Sequence, residues 1–447
     1  MSTSDGTGLA SPVPGNGQTP AHAKVRQQVA ELLRTPHEPA LRRQVARSVR
    51  ARYHARTDRW VGAVGGHGAI ETLVVERELI VTRRTWEDAG ARSYLEIRGL
   101  ERVPLEAPGI DDRIVLLQAA DGVTADELDD TVAELRLRGF AASQNQVLPC
   151  GPVIKNLGGP ALAPPLQPFV PVPVEHAPQV AIVDTGITAQ RRTDGWLVDV
   201  PRHAHGKHPN VDPLDVEPRD GYLDLCAGHG TFVAGVVARV APMATIRVYR
   251  ALLGGGVGTE IDVATAMVRA VEDGADVVNL SLGSVTLYDQ PSLAVEAALE
   301  RIEEIEREEG REVLVVAAAG NGGDTRPMWP GAFRQVVSVA GLTADHRAAP
   351  WSSHGFWVDC STVAEGICGP FVQGSESYEF TADPDTFPAD SFALWSGTSF
   401  AAPQVAGAVA VLMHEHGIGA QRAYAMLRGT GRPVPDYGVA LRILPGV

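Results

Sequence analysis

No stretch of this 447-residue chain approaches the roughly 18 consecutive apolar residues of a membrane-spanning helix. The opening Met1-Ser2-Thr3-Ser4-Asp5-Gly6 lacks a basic region followed by an apolar one. A cytoplasmic protein is therefore the plain expectation, with secretion by another route as the alternative. Cysteine is scarce: Cys150, Cys226, Cys360 and Cys368 allow three pairings, and none of their spacings is that of a zinc site. In an oxidising compartment Cys360 and Cys368 could close a short loop; in a reducing one they are plain thiols. Positive charge is also in deficit, with 39 Lys and Arg against 54 Asp and Glu and a formal net charge of −15. That balance argues against a general binder of nucleic acid or anionic membrane. No Gly-Lys-Ser/Thr follows the glycine run Leu253–Gly258, which removes a phosphate-binding loop. No Gly-x-Ser-x-Gly elbow is present, and Asp-Thr-Gly occurs once where a two-carboxylate peptidase needs it twice.

What is present is a soluble, globular composition, 44% hydrophobic and 21% charged. Three stretches stand out. Trp395-Ser396-Gly397-Thr398-Ser399-Phe400-Ala401-Ala402-Pro403 precedes the apolar run Gln404–Met413 and reads as a loop entering a buried helix. Gly397 permits a tight turn, Thr398 is a natural cap, and Pro403 is tolerated near a helix start. Val180-Ala181-Ile182-Val183-Asp184-Thr185-Gly186 is an apolar run ending in a carboxylate. Gly228-His229-Gly230-Thr231-Phe232-Val233-Ala234-Gly235 sets a histidine between glycines at the head of an apolar helix. Asp, His and Ser thus each sit at an element end, where a rigid scaffold can aim them. Cys226, three residues before His229, is either close to this site or a small buried residue.

These three motifs, in the order Asp184, His229, Ser399, resemble those of the subtilisin-like (subtilase) serine peptidases. The resemblance implies an endopeptidase with no cofactor. His229 would take the Ser399 proton, Asp184 would orient the imidazole, and an acyl-enzyme would form. Asn321, in Ala317-Ala318-Ala319-Gly320-Asn321-Gly322, matches the family's oxyanion asparagine. Ser281-Leu282-Gly283-Ser284 resembles the segment that lines the substrate, Leu253–Gly258 (with Gly254 and Gly255) falls where the opposite wall would be, and Ala318 and Gly320 are further substrate-binding candidates. A polypeptide substrate would bind there by strand addition. Calcium occurs with this resemblance, but no residue here matches a calcium ligand set, so no metal site is assigned. A catalytically silent, peptide-binding scaffold on the same fold is the alternative; the intact motif residues argue against it.

The rest of the chain divides by composition. Residues 1–60 form an extension whose first 20 residues are expected to be disordered; the Arg-rich part from Ala23 to Arg59 reads as a solvated helical extension, with a partner-binding or nucleic-acid-contacting arm as the other reading. Gly65–Gly68 imitates the histidine motif without its helix and reads as a turn. Residues 61–150 read as a small α+β unit: Thr72–Thr82, Arg113–Gln118 and Phe140–Leu148 as strands, and Thr124–Leu137 as an amphipathic helix capped by Thr124 ahead of Glu127. Its position resembles that of the family's inhibitory propeptide, which implies a self-inhibited precursor whose N-terminal region is its own partner. Residues 151–178, with seven prolines from Pro160 to Pro178, read as an extended linker or activation segment. In residues 179–447 apolar runs (Gln179–Val183, Thr245–Ala251, Asp276–Leu282, Val313–Ala318) alternate with helical patterns (Gly230–Val240, Glu260–Asp273, Ser292–Glu309, Ala401–His414). That alternation predicts an α/β fold, a doubly wound parallel sheet with helices on both faces. The loop Thr188–Leu225 carries His203, His205 and His208, either an exposed loop or a metal site. The short stretch from Asn321 to Trp329-Pro330-Gly331 is expected to shape the main specificity pocket.

Overall fold

The computed structural model describes residues 20–34, 59–65, 72–150, 159–202, 208–216, 219–379 and 383–446, with positions 47, 50, 51, 53, 54, 57, 204, 205 and 381. The readings of residues 1–19, of the Gly65–Gly68 turn beyond Gly65, and of the side chains of His203, His205 and His208 lie outside the described residues.

Helix α1 (Pro20–Arg34) comes first. An α+β unit follows: strands β1 (Val61–Val64) and β2 (Thr72–Thr82), helices α2 (Arg83–Glu87) and α3 (Ala89–Ile97), strands β3 (Leu100–Arg102) and β4 (Ile114–Ala119), helix α4 (Ala125–Leu137) and strand β5 (Ala142–Pro149). Thr124 and Glu127 close a reciprocal capping box at the start of α4. Leu128, Val132 and Leu135 are buried on one face of that helix, whereas Leu137, at its end, is 89% exposed.

The main body then alternates: β6 (Ala161–Ala163), β7 (Gln179–Asp184), α5 (His229–Val240), β8 (Thr245–Arg250), β9 (Val257–Thr259), α6 (Glu260–Glu272), β10 (Val277–Leu280), α7 (Leu293–Glu309), β11 (Leu314–Ala318), β12 (Val336–Leu342), β13 (Cys360–Val363), β14 (Ile367–Pro370), β15 (Phe392–Trp395), α8 (Ala402–His416), α9 (Ala420–Arg428), β16 (Arg432–Pro433) and β17 (Val439–Ala440). Eight strands form one sheet in the order β8-β7-β10-β11-β12-β13-β17-β16, parallel except for the last pair. Side chains alternate across it with period two. Val180 and Ile182 of β7 and Leu314 and Val316 of β11 pack on one face with α5 and α8. Ala181, Val183 and Val315 pack on the other with α6 and α7. Burial on both faces is why these strands read as unbroken apolar runs. The expected doubly wound α/β fold is thus the observed one.

The α+β unit is bolted to this body. Its antiparallel sheet runs β9-β5-β2-β4-β3, with β1 on β2, so its edge strand β9 comes from the main body. One face covers its own helices through Leu79, Val81, Leu117 and Leu128. The other, through Val75, Ile80, Ile114 and Leu116, shares a core with α6 and α7.

Two expectations change. Helix α1 is docked: Val25, Gln28 and Leu32, at i, i+3 and i+7, form a buried face on the main body, which the surrounding arginines mask in the sequence. Gln28 Nε2 donates to the Gly159 and Leu394 carbonyls at 2.7 and 3.0 Å, and Gln28 Oε1 accepts from Ser396 Oγ at 2.8 Å. Lys24 pairs with Asp385 at 2.6 Å. The proline-rich segment is extended but pinned: β6 joins β15 in an antiparallel sheet with β14, and Phe169 N–H and Val172 N–H donate to the Asp194 and Pro242 carbonyls. Proline bars helix while leaving alternate carbonyls and N–H groups to neighbours. Cys360 and Cys368, on β13 and β14, are separate thiols.

The Gln28 bonds are buried, so truncation strips several polar partners at once. Gln28→Ala should lower unfolding free energy by about 1–3 kcal/mol. Urea melts of the parent and the variant measure it. A change within about 0.5 kcal/mol would mean that α1 docks without stabilising the body.

Candidate active site

Parallel strands all end on one edge of a sheet, and loops leaving that edge converge. Asp184 is the last residue of β7, flanked on both sides by β8 and β10, and it is fully buried. His229 opens α5. The turn before it needs Gly228 at φ 80°, a left-handed backbone that β-carbons disfavour, where a Cβ would also meet Val372 and Phe371. His229 Nδ1 lies 2.8 and 3.0 Å from the two Asp184 carboxylate oxygens. A carboxylate only accepts, so Nδ1 carries the proton and Nε2 is left as the acceptor. Trp395 and Phe400 flank the imidazole at centroid distances of 5.4 and 5.5 Å, which brings the Ser399 turn against it.

Ser399 lies in the 3-10 turn Thr398–Phe400, one step ahead of α8, with Pro403 in the first turn of that helix as expected. Its Oγ donates to the Ser281 carbonyl at 3.3 Å, and Ser281 Oγ donates to the Ser399 carbonyl at 2.7 Å. Ser281 Oγ in turn accepts from Asn279 Nδ2 at 2.9 Å. The expected helix cap at Thr398 is not formed. Its N–H and hydroxyl both donate to Asn321 Oδ1 at 2.9 Å, and Gly320 N–H donates to its Oγ1 at 3.0 Å. A backbone N–H can only donate, so the Asn321 oxygen faces Thr398 and its amide nitrogen is turned the other way, towards Gly397.

The wall residues are used differently from one another. Leu282 and Ala318 are buried core side chains, so only their backbones are available to the groove. Gly283 N–H donates to the Pro149 carbonyl at 2.9 Å, and Cys150 N–H donates to the Gly256 carbonyl at 2.8 Å. Residues 147–150 therefore lie between the two expected walls, paired with Gly256–Thr259 on one side and Gly283 on the other. Gly254 serves the wall itself: its carbonyl accepts from Cys226 N–H at 3.0 Å, and its Cα abuts Asp224; Gly255 is open. Met328 sits where a side chain on Gly283 or Gly320 would go, and so fills the space between them. Cys226 is adjacent to the site, its carbonyl accepting from His229 N–H at 3.1 Å. Among the described residues no three His, Cys, Asp or Glu side chains gather as a metal site would require.

The sequence reading missed Asp212. It is buried beside Asp184, and its carboxylate accepts from Gly228 N–H at 2.8 Å, from Thr185 Oγ1 at 3.0 Å and from Leu214 N–H at 3.3 Å. Thr185 Oγ1 accepts from Gly230 N–H at 3.1 Å, so one carboxylate braces the turns carrying both Asp184 and His229. Only its place in the long Asp-to-His loop could have signalled it. Burial pushes the Asp212 carboxyl up to about 6, against the hydrogen bonds that lower it and with the Asp184 charge that raises it. A folded-state value above the unfolded 3.8 means that the folded chain holds the proton more tightly. This contribution is complete below about pH 4 and is lost as pH rises through about 6. Between pH 4 and 7 the parent should lose about 2 kcal/mol more than the Asp212→Asn variant. Urea melts at the two pH values test this, and parallel losses would refute it.

With this geometry in view, the comparisons with known proteins are informative. The Peptidase_S8 model, described as the subtilase family, matches residues 175–428. Thermitase of Thermoactinomyces vulgaris is 31% identical over 270 residues, covering 58% of this chain and 83% of thermitase. Subtilisin Savinase of Lederbergia lenta is 29% identical over 255 residues, covering 53% and 77%. The crystal structure of fervidolysin from Fervidobacterium pennivorans, a keratinolytic enzyme related to subtilisin, superposes with a TM-score of 0.57 at 20% identity over 83% of this chain and 60% of fervidolysin, a likeness of fold. The chain belongs to the subtilase family and is a subtilisin-like serine endopeptidase acting on polypeptides.

Proposed function

We propose that Ser399, His229 and Asp184 are the nucleophile, the proton carrier and the orienting carboxylate of this peptidase, that Asn321 stabilises the oxyanion, and that the chain is made as a self-inhibited precursor. The observation that carries the catalytic part is the 2.8 Å contact of His229 Nδ1 with buried Asp184, beside the Ser399 turn. It supports a base at Nε2, the only basic atom left on the ring. The Ser399 hydroxyl turns from the Ser281 carbonyl to Nε2, loses its proton there and attacks the substrate carbonyl. His229 returns the proton to the leaving amine. Water then hydrolyses the ester by the same route. Asp184 keeps the imidazole in the required tautomer and stabilises its cation. The Asn321 amide nitrogen and Ser399 N–H receive the oxyanion; the Thr398 bonds to Asn321 Oδ1 support that orientation before substrate arrives.

The precursor part rests on residues 147–150. They use Gly256–Thr259 and the Gly283 N–H, the same backbone groups that an extended substrate would need. Tethering keeps their effective concentration high, so weak pairing suffices to occlude the groove. Gln146 N–H adds a bond to Glu260 at 2.9 Å, which strengthens the seat of β5 on the body. The activating cut is expected between Leu148 and Gln179.

Two outcomes are expected. Ser399→Ala should abolish nearly all peptidase activity, since the three groups act as one unit. Asn321→Asp, which keeps the acceptor for Thr398 and removes the amide donor, should lower kcat by about 10²- to 10³-fold with little change in KM. Steady-state kinetics on a casein-derived peptide decide this; a change confined to KM would move Asn321 to substrate binding. Separately, N-terminal sequencing and intact mass should find wild type cut between Leu148 and Gln179, and the Ser399→Ala chain whole. A fully active, uncut wild type would leave residues 61–150 an accessory unit.

A further inference from the structure

Two thiols meet where the occluding strand enters the groove. Cys150 ends that strand, and Cys226 lies three residues before His229. Both backbone N–H groups are pinned to the same glycine loop, Cys150 to the Gly256 carbonyl at 2.8 Å and Cys226 to the Gly254 carbonyl at 3.0 Å. Gly256, at φ 77°, turns its Cα between them. The point that a Cβ would occupy there lies 2.6 Å from Cys150 Sγ and closer still to Cys226 Sγ, so the sulfurs lie within twice that length of each other. A Cβ at position 256 would collide with both sulfurs. The backbone thus brings the thiols of two cysteines from different units to the same glycine, near enough for a disulfide to be tested.

We propose that Cys150 and Cys226 are a disulfide-forming pair which, oxidised by exchange with a small-molecule disulfide, ties the occluding strand to the wall of the active-site groove. The Cys226 thiolate attacks one sulfur of the small disulfide and expels one thiolate. The Cys150 thiolate then attacks the Cys226 sulfur of the mixed disulfide and expels the second. The two protein thiols lose two electrons and two protons; the small disulfide gains them and leaves as two thiols. Cys360 is a poorer candidate. It is wholly buried, with its thiol pushed up to about 12, whereas Cys150 and Cys226 are 6% and 8% exposed. Oxidised, the strand stays in the groove even after the chain is cut behind it. Reduced, the cut chain can clear the groove. Activation would then need both a cut and a reducing environment.

The lock rests on the reading of residues 147–150 as the occluding strand; the cross-link does not. The first arm therefore uses the full Ser399→Ala chain, purified with reductant and equilibrated with glutathione mixtures from reduced to oxidised. After alkylation and digestion, mass mapping should find a Cys150–Cys226 linked peptide that grows with the oxidised fraction and vanishes with dithiothreitol. Both residues alkylated at every ratio, or either linked to Cys368, would overturn the pairing. The second arm uses processed wild type. Its activity should be roughly 10²-fold lower when oxidised than when reduced, the N-terminal fragment should stay attached on a non-reducing denaturing gel, and Cys150→Ser should lose the response to oxidant. Equal activity with the link formed would overturn the lock and the occluding-strand reading together.

Discussion

The parallel register of β7 between β8 and β10 is the constraint on which the rest depends. It aligns Asp184 with Arg250 and ends β7, β8, β10 and β11 on one edge. The chain leaving each end supplies one part of the site: Asp184 and its turn, the glycine loop, Ser281–Gly283, and Gly320–Asn321. Side chains alternate between two cores along β7, so a slip of one residue would swap Val180 and Ile182 with Ala181 and Val183 and unseat helices on both faces. The geometry at the edge is thus held by the packing beneath it. A histidine at the head of a helix reaches a carboxylate at the end of a strand because both are stationary.

Polar groups near that edge are buried, and their bonds do the aligning. Asp212 ties the Asp184 turn to the His229 turn, Ser281 clasps the Ser399 turn, and Asn321 clasps Thr398. Glu260 is wholly buried at the start of α6, where it accepts from Gln146 N–H, Ser292 Oγ and Ala294 N–H, and burial raises its carboxyl above the usual range. It joins β5 of the N-terminal unit to the first turn of α7. Removing one member of such a network leaves a buried partner unsatisfied, which costs more than the bond itself contributes.

The N-terminal region is built into the body twice over. Helix α1 inserts Gln28 beneath the strand that leads to Ser399, and β5 completes a sheet with β9. The two attachments bracket the α+β unit. Residues ahead of β5 are therefore held to the body both through α1 and through the β5–β9 pairing.

Half of the body's main sheet was legible in the sequence: β7, β8, β10 and β11 are unbroken apolar runs because both of their faces are buried, and helices α5, α6, α7 and α8 carry period-3.6 faces, whereas β12, β13, β16, β17 and α9 emerge only in the fold. The motif residues Asp184, His229, Asn321 and Ser399 were legible because each sits in a local pattern of glycines and apolar neighbours. What could not be read was long-range partnership. The docked face of α1 is three residues among arginines, and its partner Ser396 lies 368 positions away. Asp212 is an ordinary acid in a loop until the fold sets it under two turns, and Thr398 looks like a cap until Asn321 lies within reach. The proline-rich stretch has the same extended composition whether it spans solvent or lies on β15. Local sequence determined where helices, strands and reactive groups fall, because those depend on side-chain period and backbone freedom within a few residues. Only the tertiary structure decided which buried polar groups meet and that residues 147–150 lie between Gly256–Thr259 and Gly283, because those contacts depend on the relative placement of segments far apart in the chain.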